Sequence, residues 1–178
     1  GLGKTAVQWM AMAYALNGNG KIVLVAPTTG LVAQQARMAK EFIKLNPEKI
    51  VTMTGSDRPA KRQDIWKDAK IVMATPHVIR NDARNGRILL SDIDLLIVDE
   101  AHHATGSDSM AQLGDLYLEA SPNAMIPAAT ASPGVKASKV LEVIQRLGIE
   151  RLHVTRRDDD LVQPYITSME VNLSLIHI

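Results

Sequence analysis

Residues 94–103 read DLLIVDEAHH, an apolar run that ends abruptly in two acids, an alanine and two histidines. An apolar run without alternation is typical of a strand covered on both faces, as in a parallel sheet. Polar side chains directly after such a strand lie at the carboxyl edge of the sheet, where open α/β folds bind their ligands. The stretch therefore predicts a buried strand with an acidic site, Asp99 and Glu100, at its end.

Further apolar runs are spaced along the chain on both sides of this stretch. They are KIVLVA at 21–26, KIVTMT at 49–54, KIVMAT at 70–75, AMIPAA at 124–129 and RLHVT at 151–155. Amphipathic stretches separate them. The first of these stretches has residues at the i, i+3, i+4 and i+7 spacing of a helix, namely Val7, Met10, Ala11 and Tyr14. Alternation of strands and helices predicts a doubly wound α/β fold with a mostly parallel sheet and helices on both faces.

The composition fits one domain of 178 residues, of which 46% are hydrophobic and only 3% aromatic. The formal net charge is +1, so a nucleic-acid partner would have to be held by local groups. The absence of cysteine excludes disulfides, thiolate zinc sites and a cysteine nucleophile, and it fits a cytoplasmic protein. No apolar run reaches membrane-spanning length and no signal peptide opens the chain, so we expect no membrane partner.

The chain opens with GLGKT, the end of the phosphate-loop pattern G-x-x-x-x-G-K-[ST]. Gly1 and Gly3 can bring backbone N–H groups close to phosphate oxygens. Lys4 would place its ammonium on the β and γ phosphates of ATP, and the Thr5 hydroxyl would bind Mg²⁺. The alternative is an ordinary glycine turn before a helix, with Lys4 in solvent, because chance matches to so short a pattern are common.

The acidic strand end makes the phosphate-loop interpretation stronger. Asp99 would hold the hydrated Mg²⁺ and Glu100 would orient and polarise the attacking water, with Lys4 completing the set that phosphoryl transfer requires. One alternative is that both acids merely begin a following helix. Another is metal binding by His102 and His103, although adjacent histidines rarely share a face. We favour an ATP hydrolase that uses ATP and Mg²⁺.

Six segments of the chain resemble the motifs of superfamily 2 helicases, in the same order. They are GLGKT at 1–5, APTTGLVAQQ at 26–35, ATPHVIRND at 74–82, GRI at 86–88, DEAHHATG at 99–106 and TASPG at 130–134. The pattern is most similar to the archaeal Hef helicase/nuclease group, which includes the Fanconi-anaemia group M translocase; RIG-I-like and Dicer helicases are nearby relatives. The resemblance extends to about residue 173 and implies a RecA-like DEAH-box lobe.

The resemblance also implies a nucleic-acid interface after the other strands. Hydroxyls and backbone N–H groups there would hold the sugar–phosphate backbone without reading bases. The implied positions are Pro27, Thr28, Thr29, Gly55, Thr75 and Pro76. For Thr28 and Thr75, capping of a helix is the commoner use of a threonine and stays open as an alternative.

Coupling between the ATP site and the nucleic acid is implied for His102, Thr130 and Ser132. For His102 a purely structural hydrogen bond is nearly as good an interpretation. Three basic residues elsewhere, Arg58, Lys61 and Arg62, are expected on a solvated helix face, with phosphate contact as the minority interpretation. The segments 81–82 and 86–88 are interpreted first as structural turns and second as contacts.

The resemblance divides the chain into three parts. Residues 1–155 would form the first RecA-like lobe, truncated so that it lacks its first strand. Residues 156–173, in spite of three aspartates, would form an exit segment towards a second lobe of the same parent chain, and residues 174–178 a non-native tail. In this superfamily ATP lies between two lobes, so we expect the isolated lobe to bind nucleotide weakly and not to act as a motor.

The favoured function is therefore the ATP-binding lobe of a DNA helicase or translocase in repair or fork remodelling, with DNA preferred to RNA. One alternative is an RNA-directed lobe of the RIG-I or Dicer type. The other is a non-catalytic nucleic-acid-binding scaffold, against which the intact set Lys4, Thr5, Asp99 and Glu100 argues.

Overall fold

A computed structural model describes residues 2–121, 124–131, 136–154 and 169–171, with no side-chain detail for residues 2, 154 and 169–171. The helices are α1 Leu2–Ala15, α2 Thr29–Phe42, α3 Pro59–Asp68, α4 Pro76–Arg84, α5 Ser109–Ala120 and α6 Ala137–Arg146. The strands are β1 Lys21–Val25, β2 Ile50–Met53, β3 Ile71–Ala74, β4 Ile93–Asp99, β5 Ala128–Thr130, β6 His153–Val154 and β7 Met169–Val171. Short 3₁₀ helices lie at Pro47–Lys49, Leu90–Asp92 and Ala101–His103.

The strands form one sheet in the order β2-β3-β1-β4-β5-β7-β6. Every pairing among the first five strands is parallel, whereas β7 is antiparallel to both β5 and β6. The predicted doubly wound, mostly parallel sheet is confirmed. The pairing of β7 was not predicted, because no apolar run of sufficient length marks residues 169–171.

Both faces of the sheet are covered, which explains why its strands are apolar at successive positions. Along β1, Ile22 and Leu24 face a core shared with α1 and α2, while Val23 and Val25 face a second core shared with α4, α5 and α6. Each of these four β1 side chains is fully buried. Removing any of them from water stabilises the fold by about 1.5–3 kcal/mol.

The run at 124–129 is only partly a strand. Regular strand pairing begins at Ala128, although the carbonyl of Pro127 already accepts from the Val98 N–H at 2.9 Å. Proline has no N–H, so it cannot donate to the ladder and delays the regular pairing. In the run at 151–155, strand structure begins at His153, and the described strand residues are His153–Val154.

Of the four residues whose spacing predicted α1, only Ala11 is buried, at 6% exposed. Met10 and Tyr14 are 72% and 65% exposed, and the inward positions are held by Gln8, Met12 and small residues. A polar Gln8 occupies a core position because its amide has a partner there, described below. Spacing taken from the large apolar residues alone therefore selects the outer face of this helix.

No helix in the described part of the chain is long and apolar enough to cross a membrane.

Candidate nucleotide and nucleic-acid site

The five parallel strands end at one edge of the sheet, and the predicted site residues follow them there. After β2, β3 and β1 come the residues assigned to nucleic acid: Gly55, Thr75 and Pro76, and Pro27 to Thr29. After β4 come Asp99 and Glu100, and Thr130 ends β5. The strand order therefore places the residues predicted for nucleic acid on one side of the edge and those predicted for the nucleotide on the other, with the border between β1 and β4. We call these two sides the nucleic-acid half and the nucleotide half.

The first turn of α1 holds Gly3, Lys4 and Thr5, while Gly1 lies outside the described residues. The N–H groups of a first helical turn have no partner within the helix and are suited to phosphate oxygens. Lys4 and Thr5 are half-buried. One turn further along the same helix, Gln8 donates from Nε2 to Asp99 Oδ1 at 3.3 Å. The helix that carries Lys4 and Thr5 is therefore joined directly to the end of β4.

Asp99 is a buried carboxylate, 8% exposed, that neutral groups hold in place. Besides the bond from Gln8, its Oδ2 accepts from Gln35 Nε2 at 3.2 Å and its Oδ1 accepts from the Glu100 N–H at 3.1 Å. Among the described residues, no lysine, arginine or histidine pairs with it within 4 Å. The carboxylate is thus fixed in direction while its charge stays uncompensated by a neighbouring cation.

Such a carboxylate fits Mg²⁺. This ion prefers oxygen ligands and is usually bound through one or two carboxylates together with waters and substrate phosphates. In keeping with that mode, the described residues contain no group of three or more His, Cys, Asp or Glu side chains able to form a closed metal cage. Asp99 and the Thr5 hydroxyl are the oxygen ligands that the sequence proposes at this edge.

Each of the two glutamines leaves one buried amide oxygen without a hydrogen-bond partner among the described residues. These atoms are Oε1 of Gln8 and Oε1 of Gln35. An unsatisfied buried acceptor costs about 1–3 kcal/mol. The ionised carboxylate can only accept, so both amides must turn their NH₂ groups towards Asp99 and leave their oxygens unpaired.

Glu100 has an unusual backbone conformation, with φ 53° and ψ 49°, in the left-handed region. For a residue with a Cβ atom this conformation costs roughly 1–2 kcal/mol. It turns the chain sharply from β4 into the short helix Ala101–His103 and leaves the Glu100 side chain 27% exposed at the edge. Strain of this kind is typical of functional sites.

His102 links the acidic strand end to β5. Its Nδ1 lies 2.7 Å from Thr130 Oγ1 and 3.3 Å from Glu100 Oε2, and the Thr130 hydroxyl donates to Glu100 Oε2 at 3.4 Å. Burial lowers the pKa of His102; His103 and Lys4 act in the same direction, against the opposing effect of Glu100. The third residue predicted for coupling, Ser132, lies outside the described residues.

The residues predicted to hold nucleic acid differ in what they do locally. Thr28 and Thr29 are exposed, and Thr28 also caps α2, because its Oγ1 accepts from the Leu31 N–H at 3.3 Å. Thr75 precedes α4 and makes no such side-chain cap, which leaves its hydroxyl to other partners. Pro76 is buried at the first position of α4, so it shapes the helix start more than it offers a surface.

Gly55 is exposed in the turn after β2, and a side chain added there would meet no atom within 4 Å. The turn is held by Asp57, whose Oδ2 accepts from the Thr54 N–H at 3.1 Å and from the Thr54 hydroxyl at 2.7 Å. Lys61 pairs with the other oxygen of Asp57 at 2.6 Å. Hydrogen bonds from Lys61 and Thr54 lower the pKa of Asp57 to about 2.

The expectation of a solvated basic face is wrong for Arg62, which is 8% exposed. Its guanidinium donates from Nε and Nη2 to the fully buried Asp82, at 2.6 and 2.8 Å, and also to the Asp57 carbonyl. Arg87 adds a further bond to Asp82 at 3.0 Å. Asp82 therefore lies in a buried ion-pair cluster between α3 and α4, and the segments interpreted as turns supply two of its members.

Sequence reasoning missed Gln8, Gln35 and Asp82. A polar residue at a core-facing helix position was the available signal for both glutamines, because such a residue needs a buried partner. For Asp82 and Arg62 no local signal exists, since 20 positions separate them.

Comparison with known proteins agrees with this architecture. A Methanocaldococcus jannaschii protein described as an ATP-dependent RNA helicase is 39% identical over 172 residues, which cover 96% of this chain and 22% of that protein. The Fanconi anemia group M protein of Gallus gallus is 30% identical over 173 residues, or 96% of this chain and 8% of that protein. An ATP-dependent DNA helicase, mph1 of Sclerotinia sclerotiorum, is 30% identical over 99% of this chain and 14% of its own length.

Among solved structures, the Hef helicase domain of Pyrococcus furiosus superposes with a TM-score of 0.85 at 39% identity, covering 89% of this chain and 34% of that one. The chain thus spans less than a quarter of the length of these three relatives and about a third of the solved domain. The DEAD/DEAH box helicase family matches residues 1–140. This chain belongs to the DEAD/DEAH box helicase family.

Proposed function

We propose that this lobe binds ATP with Mg²⁺ at the nucleotide half of the edge and a nucleic-acid backbone at the other half, as part of an ATP-dependent DNA helicase or translocase. One observation carries the proposal. The helix that begins with Gly3, Lys4 and Thr5 is joined through Gln8 to the buried, cation-free carboxylate of Asp99. A lysine and two acids that serve one triphosphate have to share such an edge.

The residues have separate roles in this proposal. When bound, ATP with its metal supplies the free energy of phosphoryl transfer to water. Lys4 neutralises phosphate charge, and Thr5 and Asp99 hold the metal. Glu100 orients the attacking water, and the strained turn at this residue keeps its carboxylate at the rim of the edge.

The nucleic-acid half would hold phosphates through Thr28, Thr29, Thr75 and the backbone at Gly55. Three of these residues are exposed, and none offers a group that distinguishes bases. The expected binding is independent of sequence and sensitive to salt. A cavity of about 710 Å³ between the starts of α4, α5 and α6 widens this surface and is rich in nitrogen groups, those of His77, Arg80, His102, His103 and Lys139.

DNA is the proposed substrate because a relative that matches nearly the whole chain is named for DNA helicase activity. The relative described as an RNA helicase supports the RNA-directed alternative. A second RecA-like lobe, on the same parent chain, would close over the nucleotide. ATPase stimulation by matched DNA and RNA duplexes decides between the two substrates.

The proposal is tested in a protein that carries this lobe together with its second lobe. Lys4→Ala is expected to abolish Mg²⁺-dependent nucleotide binding. Glu100→Gln is expected to keep nucleotide binding and to lose about 100-fold or more of the nucleic-acid-stimulated hydrolysis rate. Hydrolysis at the wild-type rate by Glu100→Gln would remove Glu100 from its role, and nucleotide binding without any response to nucleic acid would favour a scaffold.

A further inference from the structure

The border between the two halves of the edge is bridged by one side chain, Gln35. It lies on α2, the helix that starts at Thr29 directly after the Thr28 cap. Its amide crosses from β1 to the neighbouring strand β4 and donates to Asp99 Oδ2 at 3.2 Å. The same helix therefore has its exposed start in the nucleic-acid half and its buried amide in the nucleotide half.

The connection is short and stiff. Gln35 lies six positions after Thr29, about 9 Å along a helix. Gln35 is only 9% exposed, and Val32, Ala36 and Ala39 of the same helix are packed into the core beside it. A displacement of the start of α2 is therefore transmitted to the Gln35 amide with little room for the side chain to adjust.

Gln8 provides the matched comparison. It makes the same kind of bond to the other oxygen of Asp99, at 3.3 Å, and its own Oε1 is buried and unpaired as in Gln35. Gln8, however, belongs to α1, which begins with Lys4 and Thr5 and has no residue in the nucleic-acid half. The two oxygens of Asp99 are thus oriented by two helices that start at two different candidate sites.

We propose that Gln35 is a positioning residue that couples the two halves: contact of a nucleic-acid backbone with the start of α2 sets the direction of the Asp99 carboxylate through the Gln35 amide. The inference rests on the proposed function and adds a route to it that does not pass through His102 or Thr130. Because coupling between two ligands is reciprocal, Mg²⁺-nucleotide would strengthen nucleic-acid binding by the same factor.

The test measures this factor by equilibrium binding and needs no turnover. In the two-lobed protein, the Kd of a fluorescent non-hydrolysable ATP analogue with Mg²⁺ is determined without and with a saturating DNA oligonucleotide. The variant Gln35→Met keeps the length and volume of the side chain and removes the donor. The controls are Gln8→Met and Gln34→Met; Gln34 is the exposed neighbour of Gln35 on α2.

Wild type is expected to show a ratio of the two Kd values of about 10, within the usual range for coupled sites. Gln35→Met should reduce the ratio to below about 3, whereas Gln8→Met should weaken nucleotide binding with and without DNA and keep the ratio within about twofold of wild type. Gln34→Met should behave as wild type. Gln35→Asn, whose amide is one methylene too short to reach Asp99, provides a second loss variant if Gln35→Met unfolds.

A wild-type ratio in both Gln35 variants overturns the inference, and so does an equal loss of the ratio in Gln8→Met or Gln34→Met. Different results would contradict the proposed function. They are that the wild-type protein does not bind the nucleotide, or that Lys4→Ala binds it as tightly as wild type does. The two failures are therefore distinguished by the wild-type and Lys4→Ala measurements alone.

Discussion

The two buried aspartates Asp82 and Asp99 differ in the hydrogen-bond donors that surround their carboxylates. Asp82 is fully buried and receives charged hydrogen bonds from Arg62 and Arg87. Asp99 is 8% exposed and receives hydrogen bonds only from neutral amides among the described residues. The charge of Asp82 is neutralised within the protein, whereas the carboxylate of Asp99 is oriented by hydrogen bonds and has no cationic partner within 4 Å among the described residues. The first arrangement serves the fold, and the second fits a ligand site.

The largest expected effect is on stability, at Asp82. Asp82→Asn leaves two guanidinium groups without their carboxylate, and breaking a buried ion pair by removing one partner costs about 3–5 kcal/mol of unfolding free energy. Urea denaturation of the variant and of wild type at neutral pH measures the difference. A loss below about 1 kcal/mol would mean that solvent reaches this cluster and would weaken the contrast with Asp99.

The next effect is on activity, at Asp99. Asp99→Asn should reduce nucleic-acid-stimulated ATP hydrolysis by about 100-fold or more, since a preorganised charge at the reacting group is lost. Its unfolding free energy should stay within about 1 kcal/mol of wild type, because Gln8 or Gln35 can rotate its unpaired Oε1 towards the new amide. Hydrolysis assays and urea denaturation on the same preparation test both parts, with Asp82→Asn as the opposite case.

The third effect is a pH dependence that belongs to Asp82. Burial raises the pKa of Asp82, but hydrogen bonds from Arg62 and Arg87 outweigh it and leave the pKa below its ordinary value. The ionised Asp82 therefore stabilises the folded state fully at any pH above its unfolded-state pKa of about 3.9. This stabilisation is lost as the pH falls through the lower pKa of Asp82 in the folded state. The urea midpoints of wild type and Asp82→Asn should converge as the pH falls from neutral into the acid range below that unfolded-state value. Parallel midpoints over this range would contradict the prediction.

The smallest effect is expected for an ion pair in solvent. Lys67 and Asp64 on α3 approach to 3.4 Å, but their side chains are 73% and 74% exposed. Solvent screening reduces such pairs to little, so Lys67→Ala should change the unfolding free energy by less than about 0.5 kcal/mol. Thermal unfolding in low and high salt measures this. Lys67→Ala serves as the control for the buried ion pair of Arg62, because Lys67 forms an exposed ion pair on the same helix.

The sequence predicted the elements that depend on local pattern and missed those that depend on neighbours. Four of the apolar runs became strands within one residue of their expected bounds, and the mostly parallel sheet followed from them. The spacing that predicted α1 rests partly on Met10 and Tyr14, which are exposed, whereas the core position of Gln8 was not predicted. Arg62 was expected in solvent, because its partner Asp82 lies on another helix.

The candidate residues at the carboxyl edge were identified from the sequence alone. GLGKT, the paired acids after β4 and the threonines after β1 and β3 are local patterns whose residue types predict phosphate, metal and backbone contacts. Only the tertiary structure decided the strand order, which divides that edge in two, and the pairing of Gln8 and Gln35 with one carboxylate. The physical reason is that strand adjacency and burial of a polar group are set by packing between distant segments, and no local spacing in a chain records which segments will meet.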